Sequence, residues 1–373
     1  MSEQVRIGIV GLGKMGSAHA KSITDGLVPG GVLACVCDTD EQKLKWAKEN
    51  LGENILKFSN VDEFLNCRQM DGIIIATPHY EHSPVAIKAF EKGLHVLVEK
   101  PAGVYTKQVR EMNEAAKKAG TVFSIMFCLR TDPVYAKVRE IVKSGQLGEI
   151  KRTNWIITTW YRPQSYYDSC GWRASWSGEG GGVLINQDPH QLDLWQWICG
   201  MPVRARAFMG FGKYHDIEVE DDVTAYVEYE NGATGVFISS TGETPGSNRL
   251  EIVGDRGKLV LEDNKIVFWK LKVPERQFNR ECKDAFAQPE AERMEIEAPG
   301  EYTQQPGIIR DWVGAILNGT ELLAPGEEGI RGLQISNAMH LSAWTDAWVN
   351  IPVDEELFYK NLMRKVENSS YIK

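Results

Sequence analysis

An α/β protein is predicted, with an N-terminal doubly wound parallel sheet and a second domain carrying a large open, mostly antiparallel sheet. Three observations predict it. The first 125 or so residues alternate short apolar runs with helical patterns, and beyond residue 150 the texture changes to strands joined by turns. A glycine-rich turn, GLGKMG, stands where the first strand gives way to the first helix.

The elements follow in order. VRIGIVG (5–11) is a buried-strand run and 14–25 reads as a helix. VLACVCD (32–38) is a second strand, followed by the polar helix TDEQKLKWAKENLG. GIIIATP (72–78) leads into a helix at 81–92, and GLHVLVEKP (93–101) and TVFSIMF (121–127) bracket another at 105–119. Strands alternating with such helices imply right-handed βαβ units and a sheet covered on both faces. After residue 150, KRTNWIITTWY, ARAFMGFGKY, DVTAYVEYENGATGVFISSTG and RLEIVGDRGKLVLEDNKIVFWK read as strands, with hairpin signals at ENGA and GDRG. A helix at 188–199 is inserted early, and helices return at about 303–318 and 327–347. No repeat or low-complexity linker interrupts the chain. The expected division is a nucleotide-binding domain over 1–125 and a substrate and oligomerisation domain over 126–373, whose C-terminal helix can pack back on the first.

Composition bounds the function. At 373 residues the chain needs no metal or disulfide to complete a core. A net charge of −9 without long charge runs argues against nucleic acid or an anionic membrane as partner. Seven cysteines form an odd set with no CxxC pair, and free thiols in a reducing cytoplasm are the expected state. The sequence shows neither a cleavable leader nor a run of about 18 uncharged apolar residues.

In GLGKMG, Gly11 permits the tight turn, Gly13 the close approach of a pyrophosphate, and Gly16 close helix–strand packing. Lys14, Met15 and Gly16 open a helix whose amide N–H groups are offered to phosphates. The second strand ends in Asp38, 22 residues after Gly16, where a carboxylate takes the ribose hydroxyls. That carboxylate repels a 2′-phosphate, and Thr39, Asp40 and Glu41 supply no arginine clamp, so NAD is favoured over NADP. In VEKP, Lys100 ends a strand where ligands of such sheets bind, and Pro101 keeps it extended. An ordinary surface lysine is the other reading of that motif alone. In ATPHYEH, His79 and His82 lie three apart, but no third ligand is patterned nearby, so no metal is expected.

These pieces, with SGQLGEI, GGGVLINQDPHQLDLWQWICG and PGEEGIRGLQISNAMHLSAWTDAWVNIP, resemble the Gfo/Idh/MocA family of oxidoreductases through most of the chain. The resemblance implies NAD(P)-dependent hydride transfer with a secondary alcohol of a sugar, glycoside or polyol, including C3 of a glucoside as a subgroup reading. It implies an open sheet serving as a homodimer or homotetramer interface. Lys100 and His190 correspond to the family's catalytic lysine and histidine. Thr77, Pro78, His79, His82, Glu99, Lys100 and Arg130 are expected to line the cofactor. The pattern is departed from at two places: in the histidine motif an amide, Asn186, replaces the usual aspartate and Asp188 a glycine, and after the SIMF strand Cys128 stands where asparagine is common.

The stretch LINQDPHQLDLW (184–195) places polar groups in an apolar helix start. A satisfied core histidine is the default for such a His190. With the family's pattern, His190 is the general base, Lys100 stabilises the oxyanion and Asn186 orients the hydroxyl. Asp193 is expected to be structural, and Gly180 to Gly182 to let backbone pass close to the cofactor or Lys100. Six of the eleven tryptophans fall within 155–197, and WYRPQSYYDSCGWRASWSG (160–178) reads as a loop. Its aromatics suit sugar rings, or equally a lid or subunit contact. Tyr161, Trp172, Arg173 and Gln187 join Lys100, Asn186 and His190 as the expected substrate residues. Rival readings are an enzyme with tightly bound, recycled NAD (epimerase, dehydratase or glycosidase-like), a carbonyl reductase, and a non-catalytic NAD-sensing regulator, against which the retained lysine and histidine speak.

Overall fold

The first strand, β1 (Val5–Val10), is buried at every position except Arg6, as a strand covered on both faces must be. The computed structural model describes residues 4–369. The chain continues through α1 (Lys14–Thr24), β2 (Gly31–Cys37), α2 (Glu41–Asn50), β3 (Leu56–Phe58), α3 (Val61–Asn66), β4 (Gly72–Ile75), α4 (His82–Glu91), β5 (His95–Val98), α5 (Thr106–Ala119) and β6 (Phe123–Ile125). The six strands pair in the order β3-β2-β1-β4-β5-β6, and every neighbouring pair is parallel. The order reverses at β1, where the glycine turn emerges, which is where ligands of such sheets bind. α1 turns Gly16, His19, Ala20 and Ile23 inward, the spacing of one helix face.

The second sheet is built differently. After α6 (Pro133–Lys143) come β7 (Ile150–Ile157), α7 (Gln164–Asp168), α8 (Val183–Asn186), α9 (Pro189–Cys199), β8 (Arg204–Phe211), β9 (Glu220–Glu228), β10 (Thr234–Ser240), β11 (Asn248–Gly254), β12 (Gly257–Glu262), β13 (Lys265–Leu271), α10 (Glu275–Glu281) and β14 (Ala291–Ile296). The chain ends through α11 (Gln304–Asn318), α12 (Gly329–Thr345), β15 (Val349–Asn350) and α13 (Glu355–Glu367). Nine strands pair in the order β14-β13-β12-β11-β7-β10-β9-β8-β15. All pairs are antiparallel except β7 with β10. Strands such as β9 alternate buried and open residues, so one face carries the core and the other stays open. Both hairpin signals hold: ENGA turns β9 into β10 and GDRG turns β11 into β12.

The chain divides into two units. The first holds residues up to Thr131 with 178–180 and 302–333; the second holds 132–177, 181–301 and the remainder from Gln334. The boundary thus falls a few residues beyond 125, and the C-terminal segment is shared, with α11 in the first unit. The Ile308, Ile309, Trp312 and Val313 side chains of α11 are buried there, and a Cβ on Gly72 would meet Trp312 at 2.8 Å. The segment 160–178 is irregular apart from the single turn of α7.

Candidate active site

In the first unit, Gly11 adopts φ +89°, a left-handed conformation that side chains resist, and donates its N–H to Cys37 O at 2.8 Å. A Cβ on Gly16 would lie 1.8 Å from Gly11 O, so α1 reaches the strand end only with glycine there. A Cβ on Gly13 would meet nothing within 4 Å, and no side chain caps α1. The first turn, with Lys14 and Met15 behind Gly13, therefore keeps N–H groups for an outside anion. Asp38 accepts from Leu12 N at 2.6 Å and from Asp40 N at 2.9 Å, which locks the carboxylate against the turn. The Thr77 hydroxyl at the end of β4 is buried without a hydrogen-bond partner. An open glycine, an uncapped helix and an orphaned hydroxyl fit a dinucleotide.

Lys100 follows β5, and its peptide bond to Pro101 is cis. Every residue in 96–104 is buried except Lys100. Glu99, 6% exposed, supports it from within: one carboxylate oxygen lies 2.7 Å from His19 Nε2 and the other accepts from Lys100 N at 3.1 Å. Cys128 is buried nearby, and burial together with the Glu99 charge pushes its thiol up to about 11.

Several expected cofactor residues also have partners within the fold. The ring nitrogens of His82 face the carbonyls of Pro101 at 2.7 Å and Thr77 at 2.8 Å. Burial pulls its pKa down against those two acceptors. His82 is thus a core histidine between the β4 and β5 ends, its single N–H as a neutral ring going to one of the two carbonyls. His79 is 6% exposed and donates from Nδ1 to Glu179 O at 3.1 Å, while Pro78 is exposed. Arg130, 2% exposed, donates to Leu323 O at 3.0 Å and pairs with Glu328 at 2.7 Å, fastening the 302–333 segment to the sheet. Glu99 faces inward for the reason already given.

In the second unit, α8 ends at Asn186 and α9 begins at Pro189. Every residue in 181–196 is buried except Asn186 and His190. They stand four apart, while Gln187 and Asp188 between them are buried. Asp193 is 1% exposed and accepts from Gln196 Nε2 at 2.9 Å, the structural place expected of it. Gln187 Nε2 donates to the Tyr166 hydroxyl oxygen at 3.3 Å, and Arg173 Nη1 donates to the same oxygen at 2.5 Å. The Arg173 guanidinium lies 4.3 Å from the Tyr166 ring centre and 4.9 Å from that of Trp172. The structure so gathers Trp172, Arg173 and Gln187 around Tyr166, a residue given no role by the sequence pattern. Tyr161 is 45% exposed on the loop.

The loop aromatics divide, with Tyr167 and Trp176 in the core at 4% and 5% exposure. The glycine run is required by protein contacts. A Cβ on Gly180 would strike Val104 at 2.3 Å, and one on Gly182 would strike Glu220 O at 1.9 Å. Glu220 itself had no sequence signal. Its fully buried carboxylate accepts from Gly182 N at 2.9 Å and Leu184 N at 3.1 Å.

Comparison with known proteins bears directly on both units. Residues 5–127 match the model described as oxidoreductase family, NAD-binding Rossmann fold, and residues 135–260 match the GFO/IDH/MocA C-terminal domain. The chain is 28% identical over 270 residues to scyllo-inositol 2-dehydrogenase (NAD(+)) of Bacillus subtilis, covering 70% of this chain and 75% of that protein. It is 24% identical to levoglucosan dehydrogenase of Pseudarthrobacter phenanthrenivorans, covering 94% and 99%. Among solved structures, the WlbA dehydrogenase of Chromobacterium violaceum in complex with NADH and UDP-GlcNAcA superposes with a TM-score of 0.81 at 25% identity. That match covers 95% of this chain and 98% of the other.

Proposed function

The chain belongs to the Gfo/Idh/MocA family of NAD-dependent oxidoreductases, and on that premise we propose that it acts on a secondary hydroxyl, or the matching ketone, of a sugar, glycoside or cyclic polyol. The observation that carries the reading is the exposure pattern: Lys100 alone is half-buried rather than buried in 96–104, and Asn186 and His190 alone in 181–196. Buried neighbours hold these three residues in place, while each keeps part of its surface exposed. When bound, NAD supplies the ring that accepts or returns hydride. Lys100 donates a charge-assisted hydrogen bond to the substrate oxygen as negative charge builds on it. His190 takes the hydroxyl proton, and Asn186, which cannot take one, orients that hydroxyl. Trp172, Arg173, Gln187 and Tyr161 contact the ring, the aromatic faces suiting its apolar side.

The relatives' names, an inositol and a levoglucosan dehydrogenase among them, support a cyclic polyol or anhydrosugar. Oxidation at C3 of a glucoside stays within this reading. Seven free thiols support a reducing cytoplasm, and among the described residues no helix is long and apolar enough to cross a membrane. Phe208 at 62%, Tyr226 at 38% and Trp348 at 43% exposure on β8, β9 and just before β15 support pairing of two or four copies through the open sheet.

The test is a panel of inositols, levoglucosan and glucosides incubated with NAD+ while NADH is followed. Turnover of one ring stereochemistry is expected, and Lys100→Ala and His190→Ala should each lower it by roughly 10²–10⁴-fold. Near-normal turnover in both variants would remove the assigned roles. Release of NAD(H) on denaturation, with substrate conversion that needs no added cofactor, would replace the dehydrogenase by a recycling enzyme.

A further inference from the structure

The helix α8 has four residues, too few to stand on its own backbone hydrogen bonds. Something must hold its start, and that is Glu220. The carboxylate is 0% exposed and receives two N–H groups of the opening turn, from Gly182 and Leu184. His340 Nε2, itself 1% exposed on α12, lies 3.0 Å from Glu220 Oε2, the oxygen that also receives Gly182 N, without a hydrogen bond between them, while His340 Nδ1 donates to Ser336 O at 2.9 Å. The His340 ring is packed in turn by Trp176 and Trp344, at 6.1 and 5.5 Å between ring centres. The same turn runs directly into the open residues. Asn186 N donates to Gly182 O at 2.9 Å, and Gln187 N and Asp188 N donate to Val183 O at 3.0 and 2.9 Å. Asp188 O then accepts from Leu192 N at 2.9 Å, one turn into the helix that carries His190.

We infer that Glu220 is a positioning residue that fixes Asn186 and His190 through the first turn of α8, with His340 packed beside its carboxylate. The inference rests on the assignment of His190 to proton transfer. Neither Glu220 nor His340 touches the reacting atoms. Their effect is carried by the backbone of 182–188, and a displacement of about 1 Å in such a group is enough to cost roughly 10²-fold in rate.

The experiment uses the full chain with 13C-labelled histidine rings, in which the His190 signal is identified by its loss in His190→Ala. In Glu220→Gln the His190 and His340 signals are expected to shift while His19, His79, His82 and His95, all in the first unit, stay. With myo-inositol and NAD+ as probes, kcat should fall about 10–100-fold with the NAD+ KM held within a factor of about two. In a His190→Ala background the same substitution should cost clearly less, because one of the two groups it positions is gone. Movement of the His340 signal alone, with His190 and kcat unchanged, would overturn the inference, as would an equal loss in both backgrounds. Full turnover in His190→Ala would instead remove the proton-transfer assignment, whatever Glu220→Gln does. Where myo-inositol is not turned over, the ring signals decide. Should Glu220→Gln fail to fold, His340→Gln is read in the same spectrum with the same expected shift at His190.

Discussion

The turn at 11–16 and the turn at 182–190 both present polar groups at a helix start, and they are held by opposite means. The first is held by backbone geometry: Gly11 in a left-handed conformation, Gly16 against Gly11 O, and N–H groups left for a ligand. The second is held by a buried side chain, the Glu220 carboxylate taking the N–H groups that the first turn leaves open. A site held by backbone is ruined by an added atom, whereas a site held by a side chain is ruined by a lost charge. The same contrast separates the two sheets, one with central strands such as β4 buried throughout, the other one-sided and alternating.

The largest effect expected of that contrast belongs to Gly16→Ala. Its Cβ would sit 1.8 Å from Gly11 O, so either the turn or α1 must move. A loss of NADH affinity of at least about 10²-fold and a destabilisation of about 3 kcal/mol should follow, read by fluorescence titration and thermal melting. Gly13→Ala is the companion, since its Cβ meets no protein atom within 4 Å. It should melt as the parent does and yet bind NADH more weakly. A lowered melting temperature in Gly13→Ala would break the distinction between room kept for a ligand and room taken by the fold.

A smaller effect is expected at Asp38, where a side chain does for the first turn part of what Glu220 does for the second. Asp38→Ala removes the acceptor for Leu12 N and Asp40 N. Loss of charged hydrogen bonds of this kind, about 1.5–3 kcal/mol, predicts a 10–100-fold rise in NAD+ KM. The preference for NAD+ over NADP+ should narrow, because the carboxylate no longer repels a 2′-phosphate. An unchanged ratio of kcat/KM for the two cofactors would show that another group sets the preference.

What the sequence revealed follows the same line. Gly11, Gly16, Asp38 and Lys100 are legible because backbone constraints write particular residues at fixed spacings, and β1, β2, β4 and β5 because buried strands write apolar runs. Glu220 and His340 lie 34 or more residues from Asn186, and no local spacing points to them. His82 and Arg130 share motifs with the expected site residues, and burial gives them carbonyl and carboxylate partners inside the fold. The glycine run 180–182 signalled a close approach correctly, but what approaches is Val104 and the β9 backbone. Among the elements, β3 and β15, with three and two residues, are too short to carry a period. α6 has its signal in the sequence, a cap at Asp132 followed by proline at its start, and that signal is masked by the preceding strand pattern.

The smallest effect concerns how well the core behind Lys100 excludes water. Burial raises the Cys128 thiol from its ordinary value near 9 to about 11, with the Glu99 charge adding to the shift. A thiol whose folded pKa is raised stabilises the protein fully below pH 9, where it is protonated in both states. Between pH 9 and 11 the unfolded chain releases this proton and the folded chain does not, so stability falls as pH rises through that window. That gap corresponds to about 2–3 kcal/mol at most, and Cys37 and Cys199, which burial pushes up to about 12, add falls of their own. Cys128→Ala should therefore flatten the fall of denaturant midpoint between pH 9 and 11 by the equivalent of one proton, and cost less than about 1 kcal/mol at pH 7. An unaltered slope would mean that Cys128 ionises as readily folded as unfolded, and that solvent reaches the back of the Lys100 turn. Lys100 would then owe its place to the Glu99 carboxylate alone, as Asn186 and His190 owe theirs to Glu220, and the first unit would share the second unit's dependence on a single buried charge.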